Sequence, residues 1–297
     1  MAKVALVKGN SRYQNIFQAL TLIKDQLSLE KKKKIVIKPN LVHADIPLCA
    51  IQPEVVKAIL DFLYETGIGS PDEKIIIAEG SFQIPTSDGF KSYNYYEELK
   101  DYNLEFIDLN TDDFIEVEIF DRDLKPIMVR VAKTIIESDF RISPALLKTH
   151  DTVVATLSLK NMVVGSLLKD KTRDDKDRIH QGYKAINMSL AKLAEIIPPH
   201  LSVIDGLIGM EGDGPARGET VKMDLALAGT DFLAVDTVGA ALMELDINQI
   251  GYLTYCQEKG LGEGDLNKIE IVGQATIEQC RKKFKPHSEF EDQLKWK

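Results

Sequence analysis

Short runs of β-branched and aliphatic residues alternate along this chain with longer stretches in which apolar positions return every three or four residues. The short runs predict strands over residues 4–7, 35–38, 75–78, 105–108, 141–143, 201–204, 225–228 and 269–272. The longer stretches predict helices over 16–27, 54–65, 94–100, 153–168, 185–197, 232–245 and 252–259. Pro53 in a first turn and Gly67 just past a last one bracket the second of these helices. This alternation predicts a layered α/β fold, a mostly parallel sheet with helices on both faces. Residues 114–120 and 126–131, separated by Asp121-Arg122-Asp123, read instead as an antiparallel β-hairpin insertion. With no repeat or linker in view, residues 1–297 read as a single α/β domain. The charged, turn-rich stretch 169–178 reads as a surface loop or a mobile excursion, and the polar segment 282–297 as a docked tail or a frayed end.

Composition mainly excludes. At 297 residues, 44% hydrophobic and 28% charged, the chain can bury a sizeable core and is not disordered, collagen-like or a coiled coil. Its 37 basic and 46 acidic residues leave a net charge of -9, which argues against nucleic acid and anionic membranes as partners, since both demand a basic surface. The lysine run at 31–34 is only a local exception. No apolar run nears the roughly 18 residues of a membrane span, and the first residues lack a signal-peptide pattern. The expected location is cytoplasmic. Cys49, Cys256 and Cys280 are odd in number and scattered, so they read as reduced thiols rather than a disulfide framework or metal knuckle.

Parallel sheets bind ligands at the carboxyl ends of their strands, which directs attention to the residues just after each predicted strand. Those positions hold Lys38, Asn40, Glu79, Lys148, His150, Asp205, Glu211 and Asp213. The stretch from Gly212 through Gly214, Arg217 and Gly218 has the backbone freedom to turn amides toward an anion, or is an ordinary tight turn. Its acids would repel an anion unless a metal or Arg217 intervened, so Asp205, Glu211 and Asp213 form a candidate divalent-metal set. Lys160 and Asn161 interrupt an apolar helical pattern; a snorkelling lysine and an anion-binding lysine both fit. Asp236 lies in a helix that is apolar on nearly every side, and must be partnered if buried. His150 and His180 suit acid–base work because imidazole titrates near neutrality, with His43 a weaker third; His200 and His287 read as surface residues.

Five blocks in order, Ile37-Lys38-Pro39-Asn40-Leu41-Val42, Lys148-Thr149-His150 followed by Leu157-Ser158-Leu159-Lys160-Asn161-Met162, Ile179-His180-Gln181-Gly182, Val203-Ile204-Asp205-Gly206, and Ala228-Gly229-Thr230-Asp231-Phe232-Leu233-Ala234-Val235-Asp236, together resemble the family of domain of unknown function 362. That family has no general reaction to lend. Some members carry an added ferredoxin-like cluster domain, so the resemblance implies redox surroundings and a redox protein as one partner to consider. This chain lacks the Cys-x-x-Cys-x-x-Cys runs that hold such clusters, and no iron–sulfur cluster is expected in it.

The residues thus point first to an enzyme that binds a small anionic or carboxylated metabolite in a strand-end cleft, with or without a divalent metal. Lys38, Lys160, His150 and His180 would act on it, and Asn40, Lys148, Asn161, Gly212, Gly214, Arg217 and Asp236 would hold it. The competing reading is a non-catalytic module for a metal, a cluster or a redox partner. A closed pocket of lysines and histidine favours the enzyme, and an exposed acid and histidine face favours the module.

Overall fold

The computed structural model describes residues 1–28, 30–43 and 45–297. Its strands are β1 (Ala2–Lys8), β2 (Ile35–Ile37), β3 (Ile75–Glu79), β4 (Leu104–Asp108), β5 (Phe114–Phe120), β6 (Pro126–Ala132), β7 (Phe140–His150), β8 (Val154–Thr156), β9 (Leu201–Glu211), β10 (Glu219–Gly229) and β11 (Ile269–Val272). The α-helices in chain order are α1 (Arg12–Leu22), α2 (Pro53–Thr66), α3 (Thr86–Ser92), α4 (Tyr95–Glu98), α5 (Lys133–Ile136), α6 (Ser158–Gly165), α7 (Asp175–Arg178), α8 (Tyr183–Ala194), α9 (Phe232–Leu242), α10 (Gly251–Glu258), α11 (Ile277–Cys280) and α12 (Phe290–Gln293).

A 9-stranded sheet runs β11-β1-β10-β9-β7-β2-β3-β4, with β8 folded back on β7. From β9 to β4 every neighbour is parallel, whereas β10 is antiparallel to both β1 and β9. The α/β expectation holds in this mostly parallel form. Successive strand residues feed opposite faces: Val4 and Leu6 join a core with α6, α8 and α9, while Ala5 and Val7 join a second core with α1 and α2. Gly67 ends α2 at φ 76°, the left-handed conformation that glycine adopts without steric cost. The hairpin forms its own sheet, β5 against β6 from Phe114↔Ala132 to Phe120↔Pro126, and is pinned to α8 by the Phe120 amide donating to Ser189 Oγ at 3.1 Å.

Several elements depart from the sequence reading. β7 runs on to His150, well past Ser143, although Pro144 interrupts it; the β2 ladder ends at Ile142, where a residue without an N–H is tolerated. β9 likewise runs to Glu211, so Asp205 lies inside a strand. Residues 153–168 form no single helix. They make β8 and α6 with Leu157 between them, because the Asp236 carboxylate accepts from the Ser158 amide at 2.9 Å, Ser158 Oγ at 2.7 Å and the Leu159 amide at 3.0 Å, fixing where the helix starts. The stretch 169–178 is fastened to the hairpin: Asp175 accepts from Arg130 at 2.6 Å and from Arg173 at 2.7 Å. The last residues are docked, with Phe284 and Trp296 buried and the Gln293 side chain donating to the His150 carbonyl at 2.8 Å. Among the described residues no helix is long and apolar enough to cross a membrane.

Candidate functional site

The carboxyl ends of β2, β3 and β7 open into a cavity of about 830 Å³. Its floor is a buried polar network. Lys38, fully buried just past β2, donates to Glu79 at 2.9 Å, to Asn161 Oδ1 at 3.1 Å and to the Pro39 carbonyl at 3.0 Å. Asn161, in the first turn of α6, returns hydrogen bonds to the Lys38 and Pro144 carbonyls and to Ser143 Oγ. Gly165 makes room for this pairing, since a Cβ there would fall 2.2 Å from Lys38 Nζ. Burial pushes the Lys38 ammonium below its ordinary pKa, and Glu79 opposes that shift.

Three further lysines face the cavity. Lys148, on β7, is almost wholly buried and donates to Asn40 Oδ1 at 2.9 Å; burial lowers its pKa. Lys176, on α7, donates to the Leu167 carbonyl, and burial brings it down to about 7. Lys160, the third residue of α6, is only 6% exposed, and among the described residues nothing accepts a hydrogen bond from it. Burial, then the charge of Lys148 against the opposing pull of Asp151, brings Lys160 down to about 7. The positive end of the helix dipole at this first turn acts in the same direction.

The two imidazoles stack with centroids 6.5 Å apart. His180 Nδ1 lies 2.7 Å from the Lys176 carbonyl, which can only accept, so Nδ1 carries the proton and Nε2 keeps a lone pair. His180 is open to the cavity but crowded by protein, and desolvation and the Lys160 charge lower its pKa. His150 is buried, and desolvation and Lys160 bring it down to about 3, so it is neutral at physiological pH. Its Nδ1 lies 3.0 Å from the Thr152 amide and 2.9 Å from the Asp151 carboxylate. Thr156, nearly buried on the cavity wall, has a hydroxyl with no hydrogen-bond partner among the described residues.

The mouth is formed by Asp213–Arg217 on one side and His287, Ser288 and Glu289 on the other. The Ser288 amide donates to Asp213 at 3.0 Å, joining the tail to the loop. Arg217 is exposed there.

Of the residues marked in the sequence, Asn40, Lys148, His150, Lys160, Asn161, His180, Asp213, Gly214 and Arg217 line this cavity, as does His43. Lys38 lies beneath it. Gly212 is turned away, its carbonyl accepting from Thr149 Oγ1 at 2.8 Å. Asp236 is fully buried as the cap of α6 and does not line the cavity. The metal set disperses: Asp205 pairs with Arg12 at 2.6 Å, and Glu211 and Asp213 each accept a tail amide. Among the described residues no group of three His, Cys, Asp or Glu side chains is placed to hold a metal ion. The separation follows from the length of β9, which carries Asp205 into the sheet and away from the loop. His287, read as a surface residue, sits at the mouth, and His200 instead accepts from the Arg141 amide at 2.9 Å. Lys176 and Asp151 escaped sequence reasoning. Asp151 directly follows His150 and could have been found; Lys176, amid Asp174, Asp175 and Asp177, carries no such signal.

The thylakoid-associated protein sll1697 of Synechocystis sp. is 27% identical over 242 residues, covering 77% of this chain and 68% of its own length. Among solved structures, the lactate racemase apoprotein from Thermoanaerobacterium thermosaccharolyticum superposes with a TM-score of 0.49 at 13% identity, over 76% of this chain. This chain spans about half of that one, 54%, and the likeness bears on neither substrate nor mechanism. The model of the family described as domain of unknown function (DUF362) matches residues 35–241. The chain therefore belongs to the DUF362 family.

Proposed function

We propose that the chain is an enzyme that binds a small anionic metabolite in the strand-end cavity and moves a proton on it with His180 and Lys160. One observation carries this reading: Lys160 is buried in the cavity wall beside the His180 imidazole, and among the described residues neither its amine nor the His180 Nε2 has a hydrogen-bond partner. An ammonium kept this way costs stability, which is typical of functional rather than structural groups. The interior lysines, Lys38, Lys148, Lys160 and Lys176, outnumber the buried Glu79, while Asp151 is half exposed, so the interior attracts negative charge. A concave cavity in which lysines and imidazoles converge favours an enzyme over a docking module.

In this reading Lys148 and Arg217 hold the anion, Asn40 orients Lys148, and Lys38, Glu79 and Asn161 fix the floor. Because the carboxylates disperse, the chemistry runs on amine and imidazole. The test is a thermal-shift screen of small carboxylates and phosphates against neutral analogues of the same size. Anions should raise the melting temperature, and Lys148→Met should remove that rise. Equal shifts with neutral analogues, or none with any anion, would defeat the reading.

A further inference from the structure

We propose that Lys160 Nζ is a nucleophile toward the carbonyl carbon of a small 2-oxo acid, forming a Schiff base whose carboxylate lies against Lys148 and Arg217. The proposal rests on the anion-binding reading above and names its substrate class. Its basis is the contrast among the cavity's amines. Lys38, Lys148 and Lys176 each donate to a protein acceptor, and among the described residues Lys160 donates to none. The Thr156 hydroxyl, likewise buried and unpartnered, faces the same space and is available to the substrate's oxygen. An electrostatic clamp would be served by any of the four amines. A nucleophile must be neutral and uncommitted, and this one amine combines both properties.

The step balances without an oxidant or a reductant. The neutral amine adds to the carbonyl carbon, a C–N bond forms, and the C=O π pair moves to oxygen. One amine proton passes by way of His180 Nε2 to that oxygen, which takes a second proton from solvent and leaves as water, and the nitrogen lone pair completes the iminium. With Lys160 near 7, about half of it is free amine at neutral pH, on the order of a thousandfold more than an ordinary lysine. The substrate carboxylate selects the site, since Lys148, on β7, lines the same cavity.

The test is reductive trapping on the full chain. The protein is incubated with pyruvate or glyoxylate, reduced with borohydride, digested and mapped by mass spectrometry, with lactate as the control that lacks a carbonyl. Pyruvate should leave a carboxyethyl group on Lys160 at an occupancy on the order of ten times that on exposed Lys57. Lactate should leave none. Calorimetry with the same acids runs alongside. Binding without a Lys160 adduct overturns the nucleophile and leaves the anion reading standing; no binding of either acid and no adduct overturns the 2-oxo acid proposal, and the anion reading then falls only if the wider screen of carboxylates and phosphates also gives no shift. Equal labelling of Lys160 and Lys57 also overturns it. Because the map is made on the unaltered protein, the result does not depend on whether Lys160→Met folds.

Discussion

Lys160 is held where its own charge is unwelcome, and that has a measurable signature. Its pKa is about 7 in the folded protein and near 10.5 in the unfolded chain, so between those values the unfolded chain holds the extra proton. Stability therefore rises with pH across that window, and below pH 7 the full cost of the buried ammonium stands. The groups that face it are Lys148, Asp151, His150 and His180. Lys160→Met should stabilise the protein by on the order of 4 kcal/mol more at pH 6 than at pH 10, read from urea melts; equal gains at both would mean that Lys160 is charged throughout. Asp236 makes the opposite case. Asp236→Ala strands the Ser158 and Leu159 amides, and should cost about 2 to 3 kcal/mol of stability. A variant that melts with the unaltered protein would remove Asp236 as the cap of α6. At this scale sequence position was informative for Asn40, which follows β2 as expected and reaches the cavity; His150 reaches it too, although β7 runs on past the expected end at Ser143 to include it. Asp205 obeyed the same rule on paper, but it lies within β9 and Arg12 claims its carboxylate.

The elements near the cavity store strain where chemistry is proposed. Val154, which opens β8 between His150 and Lys160, has φ 69°, a conformation that a β-branched side chain adopts only under constraint. A second left-handed residue, Leu124 at φ 59°, closes the β5–β6 turn far from any proposed role, with its amide donating to the Asp121 carbonyl at 2.9 Å. Leu124→Gly should therefore stabilise by about 0.5 to 1 kcal/mol, measured by thermal melting, because relief of the left-handed backbone outweighs the contacts of a side chain that is 37% exposed. A loss of stability would show that Leu124 packs against something. Strand and helix order was legible because period-2 and period-3.6 patterns are local properties of the sequence. The limits of β7, β9 and α6 were not, since they depend on partners distant in the chain: β7 continues beyond Pro144 by pairing with β9, and α6 starts where Asp236 caps it. The short strand β8 and the helix α6 within 153–168 share one hydrophobic pattern, and the distant Asp236 carboxylate divides it.

For the whole molecule, the tail is part of the folded body. Phe284 packs on the β9 backbone at Gly209, where a Cβ would lie 2.8 Å from its ring, and Trp296 packs against Tyr255 and donates to the Gln249 carbonyl at 3.1 Å. Deleting residues 282–297 should cost roughly 3 to 5 kcal/mol and open the cavity mouth, seen as a lower melting temperature and faster hydrogen exchange at His150. Unchanged melting would show the tail to be dispensable. The same long-range wiring governs how the chain is made. β1 is sandwiched between β10 and β11, with Ala5 opposite both Ala228 and Val272. During synthesis β1 emerges roughly 200 residues ahead of β10 and further still ahead of β11, and at ~5–20 residues per second that interval is on the order of tens of seconds. Until then a strand with apolar side chains on both faces waits with two open edges, while β2, β3 and β4 can already pair behind it. The nascent chain's exposure to aggregation is set by this delay, so its yield in a cell should follow translation speed and chaperone supply more closely than the stability of the finished fold.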